Sequence, residues 1–133
     1  MTRELTGGCF CGAVRYRVDG APFFETSCHC TICRRTSGAP FVAWLSVRRS
    51  EFRMLAGDPT RFRSSDVATR SFCARCGTPL TFEHDGWPDD VDVTICSLDE
   101  PDAVAPKDHT WVSRRLRWVH LADGLPEHPQ SRD

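Results

Sequence analysis

The sequence predicts an all-β fold with one short helical turn. Three observations lead there. Several short stretches alternate apolar and polar residues, the period of a strand with one buried face. No window carries a long apolar stripe of period 3.6, which a packed helix would need. The stretches are also separated by loops rich in Gly, Pro and Asp, which punctuate β proteins.

Residues 13–18 form the first expected strand, with Val14, Tyr16 and Val18 on one face and Arg15 and Arg17 on the other. Asp19 and Gly20 then turn the chain. Residues 31–36 are the one expected helical turn, stopped by Gly38 and Pro40. Residues 41–45, including Trp44, are apolar enough for a strand buried on both faces. Residues 52–55 make a short strand closed by Gly57, Asp58 and Pro59. Residues 60–63, 69–72 and 80–82 repeat the period of two, residues 91–95 alternate cleanly, and residues 117–121 are a last candidate. The chain of 133 residues suits a single domain over residues 1–126. A polar tail, expected to fray, occupies residues 127–133.

Charge excludes some functions. The formal net charge is -1, too small for a general attraction to nucleic acid. Lys107 is the only lysine, and arginines cluster at Arg34 and Arg35, at Arg48 and Arg49, and at Arg114, Arg115 and Arg117. Arginine holds carboxylates and phosphates in a fork, although a solvated surface explains such pairs equally simply. Residues 1–8 contain no apolar run of signal-peptide type, and no stretch approaches membrane-spanning length. The expectation is a cytoplasmic protein in a reducing compartment, making no membrane contact.

In such a compartment the 8 cysteines point to metal rather than disulfides. Seven are clustered: Cys9 with Cys11, then Cys28, Cys30 and Cys33, then Cys73 with Cys76. Cysteines separated by one or two residues can aim their sulfurs at one ion, and zinc takes four ligands in a tetrahedron. Gly77 follows Cys76 and suits the tight turn of a metal knuckle. The two pairs together complete a closed, structural site, which clips distant parts of the chain together. Cys28, Cys30 and Cys33 are left with three ligands and one open position, the pattern of a catalytic zinc. His29, His84 or Cys96 are candidates to fill that position, in which case the second site is structural too. Buried, Cys96 serves only as a small apolar residue in a strand.

Three thiolates make zinc a weak Lewis acid, better suited to holding a substrate thiol in ionised form. Arg34 and Arg35, beside Cys33, are candidates to offset the negative charge or to hold carboxylates of a thiol-bearing peptide. His29 is a candidate proton shuttle. The expected chemistry is addition of a bound thiol to a small electrophile such as an aldehyde, or its reversal by C–S cleavage.

Three blocks carry a resemblance: residues 7–16 around Cys9 and Cys11, residues 27–40 around the triplet, and residues 71–78 around Cys73 and Cys76. Together with Ser97, Leu98, Asp99 and Pro101, and with His109, Trp111, Val112, Trp118 and Asp123–Pro126, they resemble the glutathione-dependent formaldehyde-activating enzyme family, which also includes the centromere protein V domain. The resemblance implies a β-tent of antiparallel sheets around a structural zinc. It implies the same ligand division: Cys9, Cys11, Cys73 and Cys76 structural, with Cys28, Cys30 and Cys33 catalytic. It further implies a carbon–sulfur lyase activity joining formaldehyde and glutathione to S-hydroxymethylglutathione or the reverse. Two zinc ions are expected from the cysteine groups, the catalytic one labile because an open site loses metal more easily than a closed one. The implied partner is a small thiol such as glutathione. Two other readings stay open. A non-catalytic zinc module could bind a protein or nucleic acid through Trp44, Trp87, Trp111, Trp118 and the arginines. A thiol redox enzyme, like the zinc-containing methionine sulfoxide reductases, would use Cys96.

Overall fold

The computed structural model describes residues 4–132. Residues 1–3 of the expected domain and residue 133 of the expected tail lie outside the described residues. Ten strands and one helix follow in order: β1 (Leu5–Gly8), β2 (Arg15–Val18), β3 (Phe23–Cys28), α1 (Thr31–Ser37), β4 (Val42–Arg48), β5 (Phe52–Ala56), β6 (Thr60–Arg63), β7 (Ala68–Phe72), β8 (Pro79–His84), β9 (Asp90–Thr94) and β10 (Asp108–Thr110). They form a three-stranded sheet, β1-β2-β5, and a seven-stranded sheet, β10-β3-β4-β9-β8-β7-β6. All pairings are antiparallel except β10 with β3, which is parallel. No helix among the described residues is long and apolar enough to cross a membrane.

Alternation along β4 and β9 gives the large sheet two different faces. Leu45 pairs with Val93 and Val47 with Val91, and all four side chains are buried against Leu5, Tyr16 and Val18 of the small sheet. This is the main core, and each fully buried aliphatic side chain there contributes about 2 kcal/mol. The other face of the same strands carries Trp44, Ser46 and Asp92. Trp44 packs there with Phe82, Trp111 and the cysteine triplet in a second cluster. One face therefore holds the sheets together, and the other is free to build a site.

Three strands lack a clear sequence signal. β1 contains Gly7 and Gly8, which dilute its β propensity. β3 carries a register shift between Phe23 and Thr26 that breaks its alternation. β10 has only three residues. Residues 117–121 do not form the expected strand. Val119 N–H instead closes a turn onto the Leu116 carbonyl at 3.0 Å. The edge position they would need is taken, because His109 of β10 bridges Glu127.

That bridge also changes the picture of the tail. His128 N–H donates to the His109 carbonyl at 2.8 Å, and Trp111 N–H to the Gln130 carbonyl at 2.9 Å. Arg132 grips Asp108 through two nitrogens, Nε at 2.7 Å and Nη2 at 2.9 Å. Residues 127–132 are thus docked along β10 rather than frayed. Paired backbone groups and a bidentate ion pair outweigh their polar composition.

Candidate functional site

Two groups of cysteines come together on different parts of this frame. In the first, Cys9 follows β1 and Cys73 follows β7, so one pair extends from each sheet. The sulfurs of Cys9, Cys11, Cys73 and Cys76 all lie within 4.8 Å of one another. Cys11 Sγ is 3.6 Å from Cys9 Sγ and 3.7 Å from Cys73 Sγ. A tetrahedron of sulfurs about 2.3 Å from zinc has edges of about 3.8 Å. The two pairs share one local design. Gly12 and Gly77 close their turns with φ of 83° and 82°, a region that a Cβ disfavours. Backbone N–H groups donate to sulfur at Cys9 (from Val14, 3.2 Å) and Cys73 (from Arg75, 3.3 Å). Donors aimed at sulfur favour thiolates. The Thr78 hydroxyl and backbone draw the Cys76 thiol down to about 5. This donor set fits a closed site for a metal ion such as zinc.

The second group lies on the far face of the large sheet. Cys28 ends β3, Cys30 caps α1 and Cys33 sits in its first turn. Their three sulfurs also lie within 4.8 Å of one another, and Cys33 N–H donates to Cys30 Sγ at 3.2 Å. Hydrogen bonds from the Cys28 and Cys33 thiols, helped by that N–H and by the Arg70 charge, draw Cys30 down to about 2. The same sulfur neighbours, with burial, push Cys28 up. One charge among three close thiols is therefore favoured, and holding more negative charge there calls for a cation.

These sulfurs open onto a cavity of about 400 Å³. Its floor is the far sheet face, in a row fixed by register: Arg70 beside Phe82, Phe82 beside Asp92, Asp92 beside Ser46. Trp44, Trp87 and Trp111 add aromatic surface. Arg70 is 9% exposed, with Nη2 3.6 Å from Cys33 Sγ and Nη1 3.4 Å from the Thr36 hydroxyl. Its guanidinium lies 4.9 Å from the Phe82 ring centre and 5.8 Å from that of Trp44. Opposite, Arg132 sits 4.8 Å from the Phe24 ring centre. Phe24 and Trp111 also have left-handed backbones, with φ of 50° and 58°. Among the described residues they are the non-glycine positions with positive φ, and both line the cavity. Each such position costs about 1–3 kcal/mol, and strain of this kind gathers at working sites.

The other residues singled out in the sequence lie elsewhere. Arg34 and Arg35 sit on α1 but do not line the cavity, and Arg34 reaches only the Thr31 hydroxyl at 3.5 Å. His29 is fully buried away from the cavity, its ring centre 4.7 Å from that of Phe41. Its Nε2 is 3.0 Å from His109 Nδ1, and His109 Nε2 is 2.7 Å from Asp123 Oδ2. Burial, with His109 beside it, lowers the His29 imidazole to about 4. His84 accepts from Gly86 N–H at 2.9 Å and packs on Trp87. Cys96 is exposed on a short 3-10 turn, not buried in a strand. Among the described residues none of these joins the three sulfurs. The sequence reading missed Arg70, Asp92, Ser46 and Arg132. Asp92 occupies the polar phase of an alternating strand, which alternation alone assigns to solvent, and Arg70 shares the phase of Ala68 and Phe72 in a strand too polar for alternation to place it.

The chain is similar to several known proteins. The family model for glutathione-dependent formaldehyde-activating enzyme matches residues 4–114. A Halomonas elongata protein, provisionally named as a glutathione-dependent formaldehyde-activating enzyme, is 28% identical over 127 residues, covering 88% of this chain and 80% of its own. An uncharacterized lyase of Schizosaccharomyces pombe is 31% identical over 84 residues, covering 61% of this chain and 58% of its own. The crystal structure of a Rhodobacter sphaeroides protein superposes with a TM-score of 0.60 at 24% identity, covering 92% of this chain and 98% of the other. That structure shares the fold.

Proposed function

The chain belongs to the glutathione-dependent formaldehyde-activating enzyme family, and from that premise we propose that it is a zinc-dependent enzyme of carbon–sulfur lyase type. It forms or cleaves a thiol–aldehyde adduct such as S-hydroxymethylglutathione. The observation that carries this reading is the cysteine triplet: three sulfurs facing a cavity large enough for a small adduct, with no fourth protein ligand gathered beside them among the described residues.

Cys9, Cys11, Cys73 and Cys76 would hold a structural zinc, and Cys28, Cys30 and Cys33 a catalytic one. Zinc bound by the triplet would supply the charge that keeps a substrate thiol ionised at neutral pH. The chain's own residues do the rest. Arg70 offsets the negative charge of the triplet from 3.6 Å away. Trp44, Phe82 and Trp111 shed water from the cavity, which strengthens electrostatic interactions inside it. The cavity's cations are Arg70 and Arg132, so the contacts expected of Arg34 and Arg35 pass to these two. His29, tied to His109 and Asp123, positions the backbone between Cys28 and Cys30.

The test is zinc stoichiometry and thiol binding in the purified protein and in Cys30→Ser. Two zinc ions per chain are expected, falling to one in the variant, with loss of glutathione binding and of adduct cleavage. Full thiol binding by a Cys30→Ser protein that retains one zinc would sink the reading.

A further inference from the structure

Asp92 sits at the middle of the large sheet, on the face that floors the cavity. Among the described residues its hydrogen bond is received from the Ser46 hydroxyl, 2.5 Å from Oδ1. No cation among the described residues pairs with it, whereas other carboxylates of the chain are paired. Asp90 takes Arg48 at 2.8 Å, Asp99 takes Arg15, and Asp108 takes Arg132 at 2.7 Å. The arginines beside the cavity are held elsewhere, Arg70 toward Cys33 and Thr36 with its buried Nε left without a partner among the described residues, and Arg132 by Asp108. An unpaired, half-buried carboxylate is costly. An asparagine would accept the same Ser46 hydrogen bond without the charge, so stability alone does not account for an aspartate here.

The reaction proposed above needs such a group. Cleaving a hydroxymethyl thioether breaks the C–S bond, and sulfur keeps the electron pair. The C–O bond becomes C=O, and the hydroxyl proton must leave. The three cysteines of the cavity are committed to metal, Asp90 is paired, and the arginines cannot accept a proton. We propose that Asp92 is the proton-transferring residue of this site: its carboxylate takes the hydroxyl proton of the adduct as the C–S bond breaks, and its acid form returns that proton to oxygen when the bond forms. The proposal rests on the lyase reading of the same cavity.

The charged groups around Asp92 suit the role. Arg70 faces it from β7, Asp90 lies two residues away on β9, and Arg132 and the cysteine triplet line the same cavity. β4 presents Ser46 and, two residues on, Arg48 held by Asp90; β8 presents Phe82 and, two residues on, His84. Burial and Asp90 push the carboxyl up, Ser46 and Arg70 pull it down, and the balance is about 6. A base that titrates near neutrality is efficient at moving protons.

The experiment measures kcat/KM for cleavage of S-hydroxymethylglutathione against pH in the zinc-loaded protein, Asp92→Asn and Ser46→Ala. Zinc content and glutathione binding are measured on each. The wild-type profile should rise with pH through a limb near 6 and then level off. Asp92→Asn should keep its zinc and bind glutathione, lose the limb, and turn over about 10²-fold more slowly. Ser46→Ala should keep the limb and move it to higher pH, because a hydrogen bond to the charged form is gone. Equal rates and equal limbs in wild type and Asp92→Asn would overturn the proposal and leave the lyase reading standing. No glutathione binding and no turnover in wild type would overturn the lyase reading, and the role of Asp92 with it.

Discussion

At the scale of single residues, environment decides what each polar group can do. Arg70 and Asp92 are charged residues inside strands, yet both face the cavity. Arg70 lies against two aromatic rings and a sulfur, and Asp92 meets a hydroxyl without a cation. The aspartate leaves a signature in stability as well as in rate. Its folded carboxyl is raised to about 6 from an ordinary value of 3.8. The contribution of Asp92 to stability is therefore full below about pH 4 and is lost as pH rises through about 6. Asp92→Asn should be more stable than wild type at pH 8 by about 3 kcal/mol, and the advantage should shrink at pH 5. Urea unfolding of both proteins at the two pH values checks this, and loss of metal common to both cancels in the difference. The two cysteine groups were legible in the sequence because thiols at one- and two-residue spacing gather readily. Arg70 and Asp92 were not, because a charged residue in an alternating strand has the same pattern whether it faces water or a cavity.

At the scale of elements, the cavity depends on what borders the large sheet. β10 is three residues long, yet Thr110 pairs with Cys28 and so holds the strand that carries the first cysteine of the triplet. β10 is covered in turn by residues 127–132, whose Arg132 grips Asp108 and whose Ser131 lines the cavity. Ending the chain after Pro126 should thus do more than shorten it. The loss of the His128 and Gln130 backbone bonds and of the Arg132 ion pair should cost about 2–3 kcal/mol. It should also weaken thiol binding about tenfold while both zinc ions stay bound. Thermal melting and a binding titration on the truncated chain check the two effects. Unchanged thiol affinity would show that the segment does not shape the cavity. Strands with clean alternation, such as β2 and β9, were legible in advance. β3 and β10 were not, because a register shift hides one and brevity the other. Their place depends on long-range pairing that no local window contains.

At the scale of the whole molecule, the two cysteine groups are placed differently in the chain. Cys9 and Cys11 extend from the small sheet and Cys73 and Cys76 from the large one, so a metal there ties the two sheets together across 62 residues of chain. A clip that closes so long a loop removes much of the freedom of the unfolded chain. The triplet lies within six residues of chain at the end of β3 and closes no long loop. Cys73→Ser should therefore cost several kcal/mol and broaden or abolish cooperative unfolding, whereas Cys30→Ser should unfold cooperatively. Urea unfolding of the two variants side by side checks this, and equal losses would deny that one cluster is structural and the other open. The all-β class and the gathering of the clustered cysteines into two sets were readable from the sequence alone, because both follow from spacing and local pattern, and the family was readable from the resemblance of its motif blocks. Only the tertiary structure decided which cations face the triplet, that Asp92 shares its cavity, that His29 turns away from it, and that the tail forms part of its wall. Each of these depends on which residues from distant strands meet across the sheet, and register is set by pairing and packing rather than by local sequence.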